Sequence, residues 1–157
     1  MPGPIWVFDT SGLIELNGVP RAERQAILST LTELVKEGRL RMPKQVVDEL
    51  KRGSDELVEW AKKVEAEAAL GSPSFDEVQA VLAVVPDVLD PQKDFGADEA
   101  DPYVLAMAVK LKTTEADVRI VTQETKDRPG KTSLRTAAGI LNQVTVPFLG
   151  FRRVEGL

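Results

Sequence analysis

The chain has 157 residues with a formal net charge of −5, is 43% hydrophobic and 29% charged, and contains neither cysteine nor histidine. That length and balance suit one α/β domain over residues 1–157 with a sizeable core. The missing Cys and His exclude disulfides, thiolate or imidazole metal sites and a Ser-His-Asp triad, so any metal would be held by oxygen, which selects a hard cation such as Mg²⁺ or Mn²⁺.

No apolar run approaches the roughly 18 residues of a membrane span, and the first residues lack the charged and apolar regions of a signal peptide. A cytoplasmic protein with no membrane association is expected. The acidic balance argues against general coating of nucleic acid, but not against a phosphate substrate held through cations.

Ile5-Trp6-Val7-Phe8 is a short apolar run without alternation, which predicts a strand buried on both faces. It stops abruptly at Asp9-Thr10-Ser11-Gly12, so Asp9 falls at a carboxyl-terminal strand edge, where open α/β sheets bind ligands. Arg21 to Glu37 reads as a helix with Ile27, Leu31, Leu34 and Val35 on one face, Pro20 ahead of it and Gly38 as its stop. Arg39 to Met42 suits a second strand, and Pro43 opens a helix to Arg52. A further helix covers about Ser54 to Leu70, with Leu57, Trp60, Ala61, Val64 and Ala68 inward and a solvated charged face opposite. Ser74 to Glu77 forms a capping box ahead of a helix whose Phe75, Val78, Leu82 and Val85 should face the core. Asp87 to Gly96 reads as a loop.

Asp101-Pro102 restarts a helix, with Asp101 as N-cap and Pro102 as first helical residue. Tyr103 to Val109 is apolar nearly all round and predicts a central helix. Val118 to Val121 reads as a strand, with Thr122-Gln123-Glu124 at its carboxyl end. Gln123 to Ser133 is a polar loop, Leu134 to Asn142 a short helix and Val144 to Val146 a last strand before Pro147. Strands alternating with helices imply a mainly parallel central sheet flanked by helices.

Asp9 and Glu124 follow buried strands and should stand at one sheet edge. Glu49, near the end of a short helix, and Asp101, at the start of the central one, could meet them there. Clustered carboxylates repel, and a divalent cation reverses that balance. On sequence chemistry alone, Glu49 reads more readily as a solvated helix carboxylate. Thr10 and Ser11 have an ordinary reading as turn-forming hydroxyls. Asp98 belongs either to the cluster or to its loop, and Glu124 and Asp127 compete for the fourth acidic position.

These residues carry a resemblance. Val7 to Ile14 resembles the opening signature of PIN-domain ribonucleases. Pro43 to Leu50 resembles their second motif with Glu49 as the matching acid, Asp101 to Ala108 the third with Asp101, and Val121 to Asp127 a looser fourth. The order and spacing cover nearly the whole chain and are most similar to the single-domain ribonuclease toxins of prokaryotic toxin–antitoxin pairs, in a longer branch with an extended helical middle. The resemblance implies a three-layer α/β/α fold, a Mg²⁺- or Mn²⁺-dependent site that hydrolyses RNA, a cognate antitoxin as partner and often a homodimer. It implies catalytic roles for Asp9, Glu49, Asp101 and Glu124, with Asp9, Asp101, Glu49, Asp98 and Asp127 as the metal-ligand set. Thr10, Ser11 and Thr122 are candidates to contact a phosphate oxygen or water at the ion. Lys44, Lys51, Arg52, Lys126, Arg128 and Lys131 are candidates for the RNA backbone.

Two departures stand out. The fourth motif more often has Asn or Asp where Glu124 stands, and the stretch from Thr132 onward matches poorly. The rival readings are a phospho-acceptor domain, a dehalogenase-type phosphatase and a site-less binding module of the same fold. A phosphatase of that type wants a second Asp at position 11, where Ser11 stands. The presence of all four acidic motifs argues against the binding module.

Overall fold

The computed structural model describes residues 3–53, 55–90 and 99–157. Four strands, β1 (Ile5–Phe8), β2 (Leu40–Arg41), β3 (Val118–Val121) and β4 (Val144–Val146), form an all-parallel sheet in the order β2-β1-β3-β4. Helices flank it in a three-layer α/β/α arrangement. The chain runs outward from β1 to β2, then crosses to the other side of β1 to lay down β3 and β4. The order therefore reverses between β1 and β3, and it is at such a reversal that an open parallel sheet leaves a crevice beyond its carboxyl ends.

The helices are α1 (Thr10–Ile14), α2 (Arg21–Lys36), α3 (Lys44–Lys51), α4 (Glu56–Ala68), α5 (Phe75–Val84), α6 (Ala100–Lys112), α7 (Leu134–Ile140) and α8 (Phe148–Glu155), with 3₁₀ turns at Glu15–Gly18 and Pro86–Val88. Trp6, Val7 and Phe8 of β1 are fully buried, as a central strand requires. Trp6 and Phe8 point to one face and meet Phe151 of α8 edge-on, at centroid separations of 5.0 and 4.9 Å. Val104 to Ala108 of α6 is buried throughout, as its unbroken apolar run predicts.

Several expected elements shift. Helix α4 starts at Glu56, because the Asp55 side chain accepts a hydrogen bond from Leu57 N and caps it. Ser54 lies outside the described residues, as do positions 91–98 of the expected loop. The Ser74–Glu77 capping box forms, yet Phe75 is exposed: it occupies the first turn of α5, beyond the reach of the core that buries Val78 and Val85. Helix α7 stops at Ile140, with Asn142 in the left-handed conformation. Helices α1 and α8 are additions to the expected set.

Candidate metal centre

Helix α1 begins directly after β1, so Asp9 is both the residue that ends the strand and the one that precedes the helix. Its side chain does not cap α1; it turns into the crevice and is 4% exposed. Gly12 allows this compact turn. A Cβ at that position would lie 2.9 Å from the Val121 carbonyl oxygen and 3.1 Å from Val121 Cγ1, so a side chain there would push α1 off the end of β3. With glycine present, Ser11 Oγ reaches Asp9 Oδ2 at 2.7 Å and Thr122 Oγ1 reaches the same oxygen at 2.9 Å. Ser11 Oγ in turn accepts from Gln123 N, and Thr122 Oγ1 from Glu124 N. The ends of β1 and β3 are thus stitched together by two hydroxyls around one carboxylate.

Asp101 is not the N-cap of α6. The cap position is Glu99, the first helical residue is Ala100, and Asp101 is the second, with Pro102 behind it. That one-turn placement frees the Asp101 carboxylate to face Asp9. Carboxylate oxygens of Asp9, Asp101 and Glu124 all lie within 4.8 Å of one another. Octahedral Mg²⁺ ligands at about 2.1 Å are separated by roughly 3 Å in cis and 4.2 Å in trans. A small inward movement of side chains already turned toward one point would satisfy that, and the donors are all hard oxygens, so the residues fit such an ion.

Glu49 stands beside this group in a tying role. Its Oε2 accepts from Thr10 Oγ1 at 2.6 Å and its Oε1 from Ala100 N at 3.3 Å, so one side chain from α3 fastens the starts of α1 and α6. The solvated-carboxylate reading of Glu49 is thereby replaced. Thr10, Ser11 and Thr122, expected to contact a phosphate oxygen or water at the ion, here donate their hydroxyls to Glu49 and Asp9.

Geometry separates the two competing acids of the fourth motif. Glu124 joins the cluster, whereas the Asp127 carboxylate accepts from Ser133 N at 2.8 Å and from Thr136 Oγ1 at 3.2 Å, at the start of α7. Asp127 is therefore withdrawn from the ligand set. Asp98 lies outside the described residues.

Lys131 has a role that sequence reasoning missed. Only 7% exposed, it sends its ammonium into the cluster, 3.0 Å from Asp101 Oδ2, 2.9 Å from Glu124 Oε1 and 2.6 Å from the Val88 carbonyl. Its lack of any motif, within a polar loop, left it looking like a surface lysine. Lys126 and Arg128 also line the cleft, of about 280 Å³, while Lys44, Lys51 and Arg52 do not, and Lys51 pairs with Glu65 instead. Asp90 and Glu99 add to its acidic wall, so among the described residues six acids and three bases line it. Larger clefts lie against α2 and α4 and against α5 and α6, but neither gathers convergent acids.

The crowding is visible in proton affinity. Burial pushes the Asp101 carboxyl up to about 8, with Asp9 and Glu124 adding repulsion that Lys131 only partly offsets. Burial also raises Asp9, against the lowering effect of the Ser11 and Thr122 hydroxyls, and Glu124 and Glu49 raise it further. For Lys131, burial disfavours the charge, but the Asp101 and Glu124 contacts outweigh it and hold the amine protonated above its ordinary range.

Residues 6–151 match a domain of unknown function, DUF4411. The chain belongs to that family. The match runs from β1 into α8, so all the clustered residues of this DUF4411 domain lie inside it. No curated protein matches the chain in sequence.

Proposed function

We propose that the protein is a Mg²⁺- or Mn²⁺-dependent endoribonuclease of PIN-domain type, the toxin of a toxin–antitoxin pair acting in the cytoplasm. The observation that carries this reading is the convergence of Asp9, Asp101 and Glu124, from three distant parts of the chain, on one buried point at the β1–β3 crevice. Burying acids with too few bases is costly, and a divalent cation is the partner that makes such a cluster favourable. The resemblance of the four acidic motifs to those of PIN-domain ribonucleases supplies the reaction.

Asp9, Asp101 and Glu124 would hold the ion, with Asp9 the most rigidly placed through Ser11 and Thr122. When bound there, such a cation would supply neutralisation of charge growing on the phosphodiester and would make an attacking water more acidic. Glu49, braced by Thr10 and the Ala100 amide, is placed to receive the proton of that water. Lys126 and Arg128 at the cleft rim would meet the RNA backbone.

Purified protein should cleave single-stranded RNA with Mg²⁺ or Mn²⁺ and lose this with chelator. Asp9→Asn and Asp101→Asn should each abolish it while remaining folded. Retention of metal-dependent cleavage by both variants would remove the proposal. The antitoxin assignment expects co-purification with a polypeptide encoded beside the protein, and a homodimer is expected by sedimentation.

A further inference from the structure

We infer that the Lys131 ammonium stands where a second divalent cation would sit, so that the centre takes one Mg²⁺ or Mn²⁺ per chain rather than a pair. This rests on the nuclease reading of the site and goes beyond it by fixing the number of ions.

Two-metal phosphodiester sites hold their ions about 3.5–4 Å apart and need carboxylates turned toward both. Here Asp101 Oδ2 and Glu124 Oε1 are already turned to Lys131 Nζ, at 3.0 and 2.9 Å. The same nitrogen donates to the carbonyls of Val88, at 2.6 Å, and Thr132, at 3.2 Å. Three N–H donors are thus spread over four oxygens, with the lysine itself 7% exposed at the floor of the cleft. A second dication on those carboxylates would lie beside a fixed positive charge in a poorly screened interior.

The lysine is also held from behind. Arg128 and Lys131 exchange backbone hydrogen bonds at 2.9 Å in both directions, around a Pro129-Gly130 turn in which Gly130 takes φ 74°. The next residue, Thr132, donates from its amide to the Asp87 carbonyl at 2.7 Å. The turn fixes where the side chain starts, and swinging the ammonium out would break its bonds to the Val88 and Thr132 carbonyls and to both carboxylates. Asp9 differs: among the described residues its Oδ2 receives the Ser11 and Thr122 hydroxyls, and Lys131 makes no hydrogen bond to it. A cation would therefore be held from the Asp9 side, with Asp101 and Glu124 shared between ion and lysine.

Mn²⁺ titration of the full chain, followed by calorimetry and by electron paramagnetic resonance, tests this directly. The unaltered protein should bind one Mn²⁺ per chain with an uncoupled spectrum. Lys131→Met, or Lys131→Gln if the first fails to give a normal thermal melt, should bind two and show the broadening of a coupled pair. Two coupled ions in the unaltered protein would overturn the inference while leaving the nuclease reading intact. One ion in both proteins, at unchanged affinity, would overturn it as well, because the lysine would then not be what excludes the second. Failure of the unaltered protein to bind Mn²⁺ at all would remove the nuclease reading and this inference with it.

Discussion

The two ends of the sheet both bury polar groups, and they do so in opposite ways. At the amino-terminal end Arg39, just ahead of β2, pairs with Glu155 of α8, and Glu155 Oε2 also accepts from Trp6 Nε1 at 2.8 Å. Arg39 Nε donates to the Pro4 carbonyl and the Arg119 guanidinium lies 5.5 Å above the Trp6 ring. Arg39 also reaches Glu37 at 3.7 Å, so the buried Glu155 carboxylate has an opposite charge directly against it. At the carboxyl-terminal end Asp9, Glu49, Asp101 and Glu124 gather at one cleft, where Lys131 is the one buried amine among the described residues. A balanced buried pair explains itself as structure, fastening α8 across the start of the sheet. An unbalanced cluster does not, because it costs stability that a fold alone would have no reason to forgo.

The largest effect that would sharpen this contrast is catalytic. Asp101→Asn should reduce RNA cleavage on the order of ten-thousandfold, as loss of a metal ligand and its charge implies, yet leave the chelator-treated protein more stable than the unaltered one in urea denaturation. Equal loss of stability and activity would place Asp101 with the structural pair instead.

Next comes pH. With its carboxyl at about 8 in the folded state and near 3.9 in the unfolded chain, Asp101 holds a proton in the native protein over a range where the unfolded chain has released it. Unfolding then sheds protons, so the metal-free protein should lose stability as pH rises from about 4 to about 8 and level off above, by an amount bounded at roughly 6 kcal/mol. Asp101→Asn should flatten that slope. A saturating divalent cation should flatten it too, since the carboxyl would then be ionised in both states. Chemical denaturation across this pH window, with and without chelator, measures it.

The opposite end should respond the other way round. Arg39→Met strips Glu155 of its charge partner in a largely buried place, which costs about 3 kcal/mol, and should leave the rate of RNA cleavage per folded molecule unchanged. A drop in cleavage at full folding would mean that the two ends of the sheet are coupled.

Sequence reasoning reached the acids more readily than the groups that hold them. The switch from Phe8 to Asp9 was legible because a buried central strand must be apolar and its polar stop must lie at the sheet edge. Asp101 was legible as the polar start of an all-apolar helix, but its exact turn was not, since capping depends on backbone angles one or two residues away. Lys131 was hidden because its partners lie 30 residues back in Asp101 and 7 back in Glu124, and no periodicity signals a contact across a loop. Glu49 was named as an acid of the second motif, but its tie to Thr10 and the Ala100 amide was hidden for the same reason. Helix α8 left a fainter signal, Pro147 at its cap and Phe148 and Phe151 three apart, which a short segment after a last strand easily conceals.

The smallest expected effect separates the two acids that the fourth motif left in competition. Asp127 is exposed, and the Ser133 amide followed by the Thr136 hydroxyl holds its carboxyl below the ordinary range. Its contribution is therefore present above the unfolded carboxyl value near 3.9 and is lost as pH falls through its own lower value, the reverse of Asp101. Asp127→Ala should loosen the start of α7, make the protein unfold more readily at neutral pH, lessen the further loss on acidification, and leave RNA cleavage within about twofold of the unaltered rate, a change of less than about 0.5 kcal/mol in barrier. Glu124→Gln, three residues away, should cost cleavage heavily. If the two variants exchanged these phenotypes, the ion would have to be drawn toward α7, away from the β1–β3 crevice and from the lysine that faces it.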